Sequence, residues 1–417
     1  MILLSATLVL SGRAAEPTNA PLEKIGGPAP AKAEVPPPSL DLTTNADGDF
    51  LPPTKLDRFN YLMGTARFQA STRDFATAEL NYVKLLAADV PEDLQKQALF
   101  ELGQMVQAQN DLTRAQSIFA QYLQRWPSDS HAPEVCLHQG QIFRQMGLPN
   151  LALAKFYSVM TTALSLKNDQ LPFYKRLVLE AQVEIAETHY LVGKFKDATD
   201  YYLVLLAQND PALDRAQIQF RLVRSLSAIA RHDDAANQAQ DFLSRYPESA
   251  EVPEVRYHLA QALKRQGRTA EALQQVLVFL KEERAQTKDR PEVWAYWQQR
   301  VGNEIGNQLY QEGDFVKALQ IYLTLAKLDS SPAWQLPVRY QVGVTYEKLL
   351  QPNLAIEAYR SITNAVPDLG TNLSPGLKSV VEMAGWRLHA LEWQARADDF
   401  NHPDKTATNS NPNLSQR

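Results

Sequence analysis

The side chains able to do chemistry are few, and their spacing does not gather them. The chain of 417 residues has seven histidines and one cysteine, Cys136. A single cysteine permits neither an intramolecular disulfide nor a thiolate zinc cluster. His131 and His138 stand seven apart with no carboxylate arranged beside them, so they make no metal-ligand set. No phosphate-cradling glycine loop, nucleophile elbow or H-E-x-x-H pair occurs. No catalytic, cofactor-binding or metal residue is therefore assigned, and the reading is of a non-enzyme that needs no cofactor. The formal charge is −5, too small and of the wrong sign for a general nucleic-acid binder. What the chain must position is a surface rather than a reaction centre.

The elements that position it are legible as repeats. Alanines stand in a column at Ala78, Ala115, Ala152, Ala198, Ala235, Ala272, Ala318 and Ala355, at spacings of 37, 37, 46, 37, 37, 46 and 37. Twelve residues before each sits Ala66, Gly103, Gly140, Ala186, Val223, Ala260, Gly306 or Gly343. Four residues after come Tyr82, Phe119, Phe156, Tyr202, Ala239, Val276, Tyr322 and Tyr359. Where that aromatic is lost, Phe242 and Phe279 follow three residues on. Small residues facing across two helices let their axes approach, and the aromatic one turn further fills the widening gap. Low glycine, 17 of 417 against a usual share of about 7 per cent, also speaks against a many-stranded sheet.

This constellation resembles the tetratricopeptide repeat, over about Leu56 to Pro367 as eight units. Its period of 37 exceeds the family's usual 34. The resemblance implies an all-α, right-handed superhelical solenoid of helical hairpins whose first helices line a concave face. A peptide-binding groove would then draw on Arg67, Gln104, Gln141, Arg144, Glu187, Arg224, Gln261, Lys264 and Asn307. Amide and basic side chains of this kind suit the backbone and carboxylates of an extended peptide better than an apolar helix. The partner implied is a protein or extended peptide, not nucleic acid. Arg125-Trp-Pro-Ser-Asp-Ser and Arg245-Tyr-Pro-Glu-Ser-Ala, each followed by Pro-Glu-Val, are similar to repeats of exported envelope proteins, the outer-membrane assembly lipoproteins and cell-division coordinators. A structural subunit of such an envelope assembly is the alternative reading.

The spacings 37, 37 and 46 make a longer period of 120, which also aligns Phe75, Phe195 and Phe315. A duplicated three-hairpin block follows from it. Each 46-residue interval adds nine residues, about 13 Å of helix, and predicts long first helices over 172–192 and 291–312. Phe173, Tyr174, Trp294, Tyr296 and Trp297 at their starts are expected either to zip the longer hairpin or to form a protruding partner-docking ridge.

The ends complete the division. Ile2 to Leu10 is an apolar run too short to span a membrane, which needs about 20 residues, but suited to a signal peptide cleaved after Ala14. Residues 1–14 are read as that signal and the chain as exported, in a bacterial periplasm, or cytoplasmic if the run is not a working signal. No transmembrane segment is expected. Residues 15–55, rich in proline and alanine, read as a disordered linker. The solenoid occupies 56–373, and Ser374-Pro375 opens a capping helix over 374–397. Residues 398–417 read as a polar tail. Oligomeric state is not encoded in these patterns.

Overall fold

The computed structural model describes residues 54–163, 171–282, 291–369 and 373–401. The expected signal peptide, nearly all of the linker, the start of the insertion loops and most of the tail lie outside them. The described residues hold seventeen α-helices and no strand. They divide between two compact units that part after Ile229.

The first unit runs α1 (Lys55–Ser71), α2 (Phe75–Lys84), α3 (Glu92–Ala108), α4 (Leu112–Arg125), α5 (Ala132–Gln145), α6 (Pro149–Ala163), α7 (Leu171–Leu191), α8 (Phe195–Gln208) and α9 (Arg215–Ala228). The second runs α10 (His232–Arg245), α11 (Val252–Arg265), α12 (Thr269–Glu282), α13 (Pro291–Gln311), α14 (Phe315–Leu325), α15 (Pro332–Lys348), α16 (Pro352–Thr363) and α17 (Pro375–Asn401). In each unit, chain neighbours pack as antiparallel hairpins and successive first helices touch, as α1 touches α3 and α11 touches α13. The expected all-helical repeat of hairpins is the architecture observed. The two long first helices are α7 and α13, each of 21 residues. The terminal helix runs four residues past the expected end, into the stretch read as tail.

Helix starts are written in side chains. Thr54 and Asp57 form a reciprocal capping box, in which the Asp57 backbone N–H donates to Thr54 Oγ1 at 3.1 Å and the Thr54 N–H to Asp57 Oδ2 at 2.8 Å. Asp74, Asp111, Asp214 and Asp314 each accept from a backbone N–H three residues on. Helix ends follow one rule. The residue five before every column alanine is left-handed: Arg73, Asn110, Gly147, Gly193, Ala230, Gly267, Gly313 and Leu350. Each such turn closes the first helix and aims the chain back. Where the residue is not glycine, its Cβ costs about 1 kcal/mol or more.

The packing columns then interlock. All eight column alanines are fully buried. A Cβ added to Gly103 would lie 2.6 Å from the Phe119 ring, one on Gly343 2.5 Å from Tyr359, and one on Gly306 2.8 Å from Tyr322. Gly140 faces Phe156 in the same way. The missing side chain thus makes room for the aromatic of the second helix, rather than only for the alanine. Shape complementarity of this kind fixes the hairpin angle.

Candidate peptide-binding face

The exposed row of each first helix is set by the hairpin: one stripe faces its second helix, and another faces the next first helix. Positions three apart lie on one side of a helix, and neighbouring first helices are displaced by about one turn. A side chain eleven before one column alanine therefore reaches the residue fourteen before the next. In the first unit Arg67 of α1 clasps Glu101 of α3 through Nε at 2.9 Å and a second nitrogen at 2.6 Å, and Tyr82 donates to the same carboxylate at 3.1 Å. Gln104 Nε2 of α3 lies 3.2 Å from His138 Nε2 of α5, whose Nδ1 is 2.9 Å from Gln107 Oε1. Gln141 donates to Glu184 of α7 at 2.9 Å, and Arg144 pairs with that carboxylate at 2.6 Å.

The ladder turns inward at α7 and α9. Glu187 and Arg221 pair at 3.4 Å with side chains about 1% exposed, and Tyr202 donates to Glu187 at 3.3 Å. Burial pushes the Glu187 carboxyl above its ordinary range, and the Arg221 and Arg144 guanidiniums pull it back only in part. Arg221 and Arg224 lie 4.6 and 5.6 Å from the Tyr190 ring, within cation-π reach.

The second unit repeats the rule. Gln261 of α11 donates to Glu304 of α13, and to the Tyr257 hydroxyl at 2.8 Å. Lys264 is buried and paired with Glu312. Asn307, exposed, accepts from Tyr322 at 2.7 Å. Further along, Arg387 of α17 clamps Glu347 of α15 at 2.9 and 3.0 Å.

All nine residues read as groove from the sequence thus lie on first helices, and eight of them hold a neighbouring residue through the contacts just given. Arg224 lies over Tyr190 and, 5.7 Å away, over Phe220. None of the partners Glu101, His138, Glu184, Arg221 and Glu304 was singled out from the sequence in that role. They form their own column, fourteen before the alanines, with charge or hydrogen-bonding character complementary to the column eleven before. That complementarity was the available signal. The ladder still leaves open valences: Gln104, Gln141 and Gln261 are half-buried and make these bonds through Nε2, with Oε1 free to accept.

The aromatic ridge is arranged differently from the protruding edge that long helices suggested. Trp294 and Trp297 are buried, their rings 5.6 Å from Phe279 and 5.2 Å from Tyr257. Tyr174 is buried too, donating to the Ser130 carbonyl at 3.3 Å, and Phe173 lies against His131. Tyr296, half-buried, accepts from Arg300 at 2.9 Å. The extra turns of α7 and α13 fold back over the preceding hairpin, because an aromatic ring gains more against other rings and apolar side chains than in water. These aromatics pack along the longer hairpins, and with Tyr174, Trp294 and Trp297 buried they do not form the protruding docking ridge expected of them.

Apolar surface lies elsewhere. On second helices Leu80 and Val83 of α2 and Val316 and Leu323 of α14 are exposed. Between α12 and α14 a groove of roughly 350 Å³ is lined by Leu273, Leu277, Val278, Lys281 and Gln320. No helix among the described residues is long and apolar enough to cross a membrane.

A tetratricopeptide-repeat family model matches residues 61–130 and 220–286, a part of each of the two units. No curated protein matches it. Solved structures similar to it include the apo form of RapI, at 12% identity over 75% of this chain and 88% of that one with a TM-score of 0.49. A tetratricopeptide repeat protein from Parabacteroides merdae aligns at 12% identity over 69% of this chain and 98% of that one, TM-score 0.39. The apo quorum sensor NprR from B. thuringiensis aligns at 13% identity over 69% and 79%, TM-score 0.36.

Proposed function

We propose that the protein is a non-catalytic scaffold, exported to a bacterial envelope, that holds an extended peptide or protein segment along its first-helix face. The observation that carries this reading is the row of half-satisfied amides. Gln104 and Gln141, on consecutive first helices, are each fixed by a bond through Nε2, and their Oε1 atoms are left to accept backbone N–H groups from a ligand. A side chain already immobilised loses less entropy when the ligand arrives, so it contributes more to binding than a mobile one. The repeat identity supports the same role, since stacked hairpins offer long surfaces rather than a closed pocket. The first-helix face is the concave one in the arrangement that the repeat implies.

Binding of extended peptides is tested by fluorescence anisotropy with the wild type and a Gln104→Leu/Gln141→Leu variant. Affinity should fall at least tenfold with little change in melting temperature. An unchanged Kd contradicts the placement of the ligand. Export rests on the apolar run Ile2 to Leu10 and the small residues Gly12 and Ala14. The mature N-terminus should begin at Ala15; intact chain confined to the cytoplasm contradicts it.

A second reading, the structural subunit of an envelope assembly, is favoured by the apolar groove between α12 and α14, with Val316 and Leu323 exposed on α14. Permanent co-purification with fixed partners, lost on Leu277→Glu, would select it.

A further inference from the structure

Among the described residues, the terminal helix α17 is built as a first helix with no second helix folded upon it. Its inner stripe, Leu377, Val380, Ala384 and Leu388, is buried against α15 and α16, and Arg387 clamps it to Glu347. Every other first helix of the second unit is followed by a helix that folds back on it, as α12 does on α11, α14 on α13 and α16 on α15. On α17 the outward face holds two tryptophans seven residues apart, Trp386 and Trp393, 71% and 69% exposed. Seven residues are two helical turns, so the indoles stand in one row. Glu382, His389, Ala390 and Arg396 are exposed on the same side.

We infer that this row is the interface through which two copies of the chain pair, α17 against α17, antiparallel about a two-fold axis. The sequence of the row is its own complement. Midway between Trp386 and Trp393 lies the junction of His389 and Ala390, and a two-fold there sets Trp386 of each copy against Trp393 of the other. The same operation carries Glu382 to within one residue of Arg396 of the other copy. The pairing therefore closes two Glu382–Arg396 ion pairs at once, with the acid on the N-terminal side of the row and the base on the C-terminal side. Among the described residues Glu382 forms no ion pair, and Arg396 hydrogen-bonds only to the Glu392 carbonyl of its own helix, with its charge near the Glu392 carboxylate that Arg360 already holds. Ala390, small and beside the axis, lets the helices approach. Such an isologous contact closes at two copies and leaves no sticky surface over.

The area is of the right order. A tryptophan buries about 150–250 Å², so four indoles exposed to this extent supply roughly 400–700 Å². A specific interface needs about 1,000 Å² in total, and the flanking Glu382, His389, Ala390 and Arg396 of both copies add the remainder. The residues that follow in the chain do not suit the row. From His402 to Arg417 the sequence has two prolines, Pro403 and Pro412, and only Leu414 as a large aliphatic side chain.

Sedimentation equilibrium of the full chain between about 0.5 and 100 μM tests the inference. A monomer–dimer equilibrium is expected, and Trp386→Ala or Trp393→Ala should weaken it at least thirtyfold, the effect of losing a hot-spot aromatic. Glu382→Arg and Arg396→Glu should each weaken dimerisation, and the two together should restore it, with circular dichroism unchanged throughout. Ala390→Cys should give a disulfide-linked dimer on mild oxidation. A monomer at every concentration overturns the inference, whether α17 then proves bare or covered by another part of the chain. A dimer indifferent to the tryptophans, or charge reversals that fail to rescue one another, overturns it as well.

Discussion

Two junctions between first helices use the same slot and differ in almost everything else. At α1 and α3, Arg67 meets Glu101 with side chains 40% and 19% exposed. At α7 and α9 the charges are reversed, Glu187 meeting Arg221, and both are about 1% exposed. The separation along the chain is 34 residues in each, the period less one helical turn. Register alone therefore decides who meets whom, while depth decides what the meeting is worth. Water screens the outer pair, whereas the inner pair stands in a medium where either charge alone is costly.

The largest expected effect breaks the inner junction on one side. Glu187→Leu takes a buried carboxylate away from the Arg221 guanidinium and should cost about 3–5 kcal/mol, read by urea unfolding. Adding Arg221→Met should recover part of that loss, because a buried pair as a whole is worth less than one of its charges without the other; no recovery at all would mean that the remaining contacts of Arg221, such as that with the Tyr190 ring, outweigh the pair. Next comes the hairpin interior. Gly343→Ala places a Cβ 2.5 Å from the Tyr359 ring and should cost about 1–3 kcal/mol by overpacking, checked by thermal melting. In the opposite direction, Leu350→Gly relieves a left-handed backbone at φ 58° and should stabilise by about 1 kcal/mol. The outer junction sharpens the comparison most: Arg67→Ala should cost no more than about 1 kcal/mol, less in high salt.

Acidity separates the two junctions again. Burial holds the Glu187 pKa above its reference value of 4.5, so the folded state binds that proton more readily than the unfolded chain does. The corresponding stability is fully present below pH 4.5 and is lost as pH rises through the folded-state value. Unfolding free energies measured from pH 4 to 8 should therefore decline more steeply for the wild type than for Glu187→Gln. Equal slopes would show that the buried carboxyl titrates normally.

The hairpins were legible because steric demands repeat: an alanine under a helix contact recurs at every unit, and a glycine under an aromatic ring at four of the eight. Even the long helices could be placed, since nine additional residues need a regular home. The left-handed turn residue was half legible, as Gly147, Gly193, Gly267 and Gly313 mark it plainly while Arg73, Ala230 and Leu350 conceal it. The face was harder. Gln141 reads as an amide awaiting a ligand until the next helix is set one turn lower and Glu184 comes within 2.9 Å. Trp294 and Trp386 show the same difficulty. Both are tryptophans near helix surfaces, yet one is 7% exposed and the other 71%, because the first sits on the face of α13 that meets the preceding hairpin and the second on the face of α17 turned away from it.

The central claim, that the first-helix face receives the partner, is tested most directly by a photo-crosslinking residue introduced at Gln104, at Gln141 and, as the opposing face, at Leu80 and Val316, followed by irradiation of intact cells and mass spectrometry. The account predicts that Gln104 and Gln141 capture a common protein while Leu80 and Val316 capture none. Capture of a partner from Leu80 or Val316, with Gln104 and Gln141 silent, would contradict it.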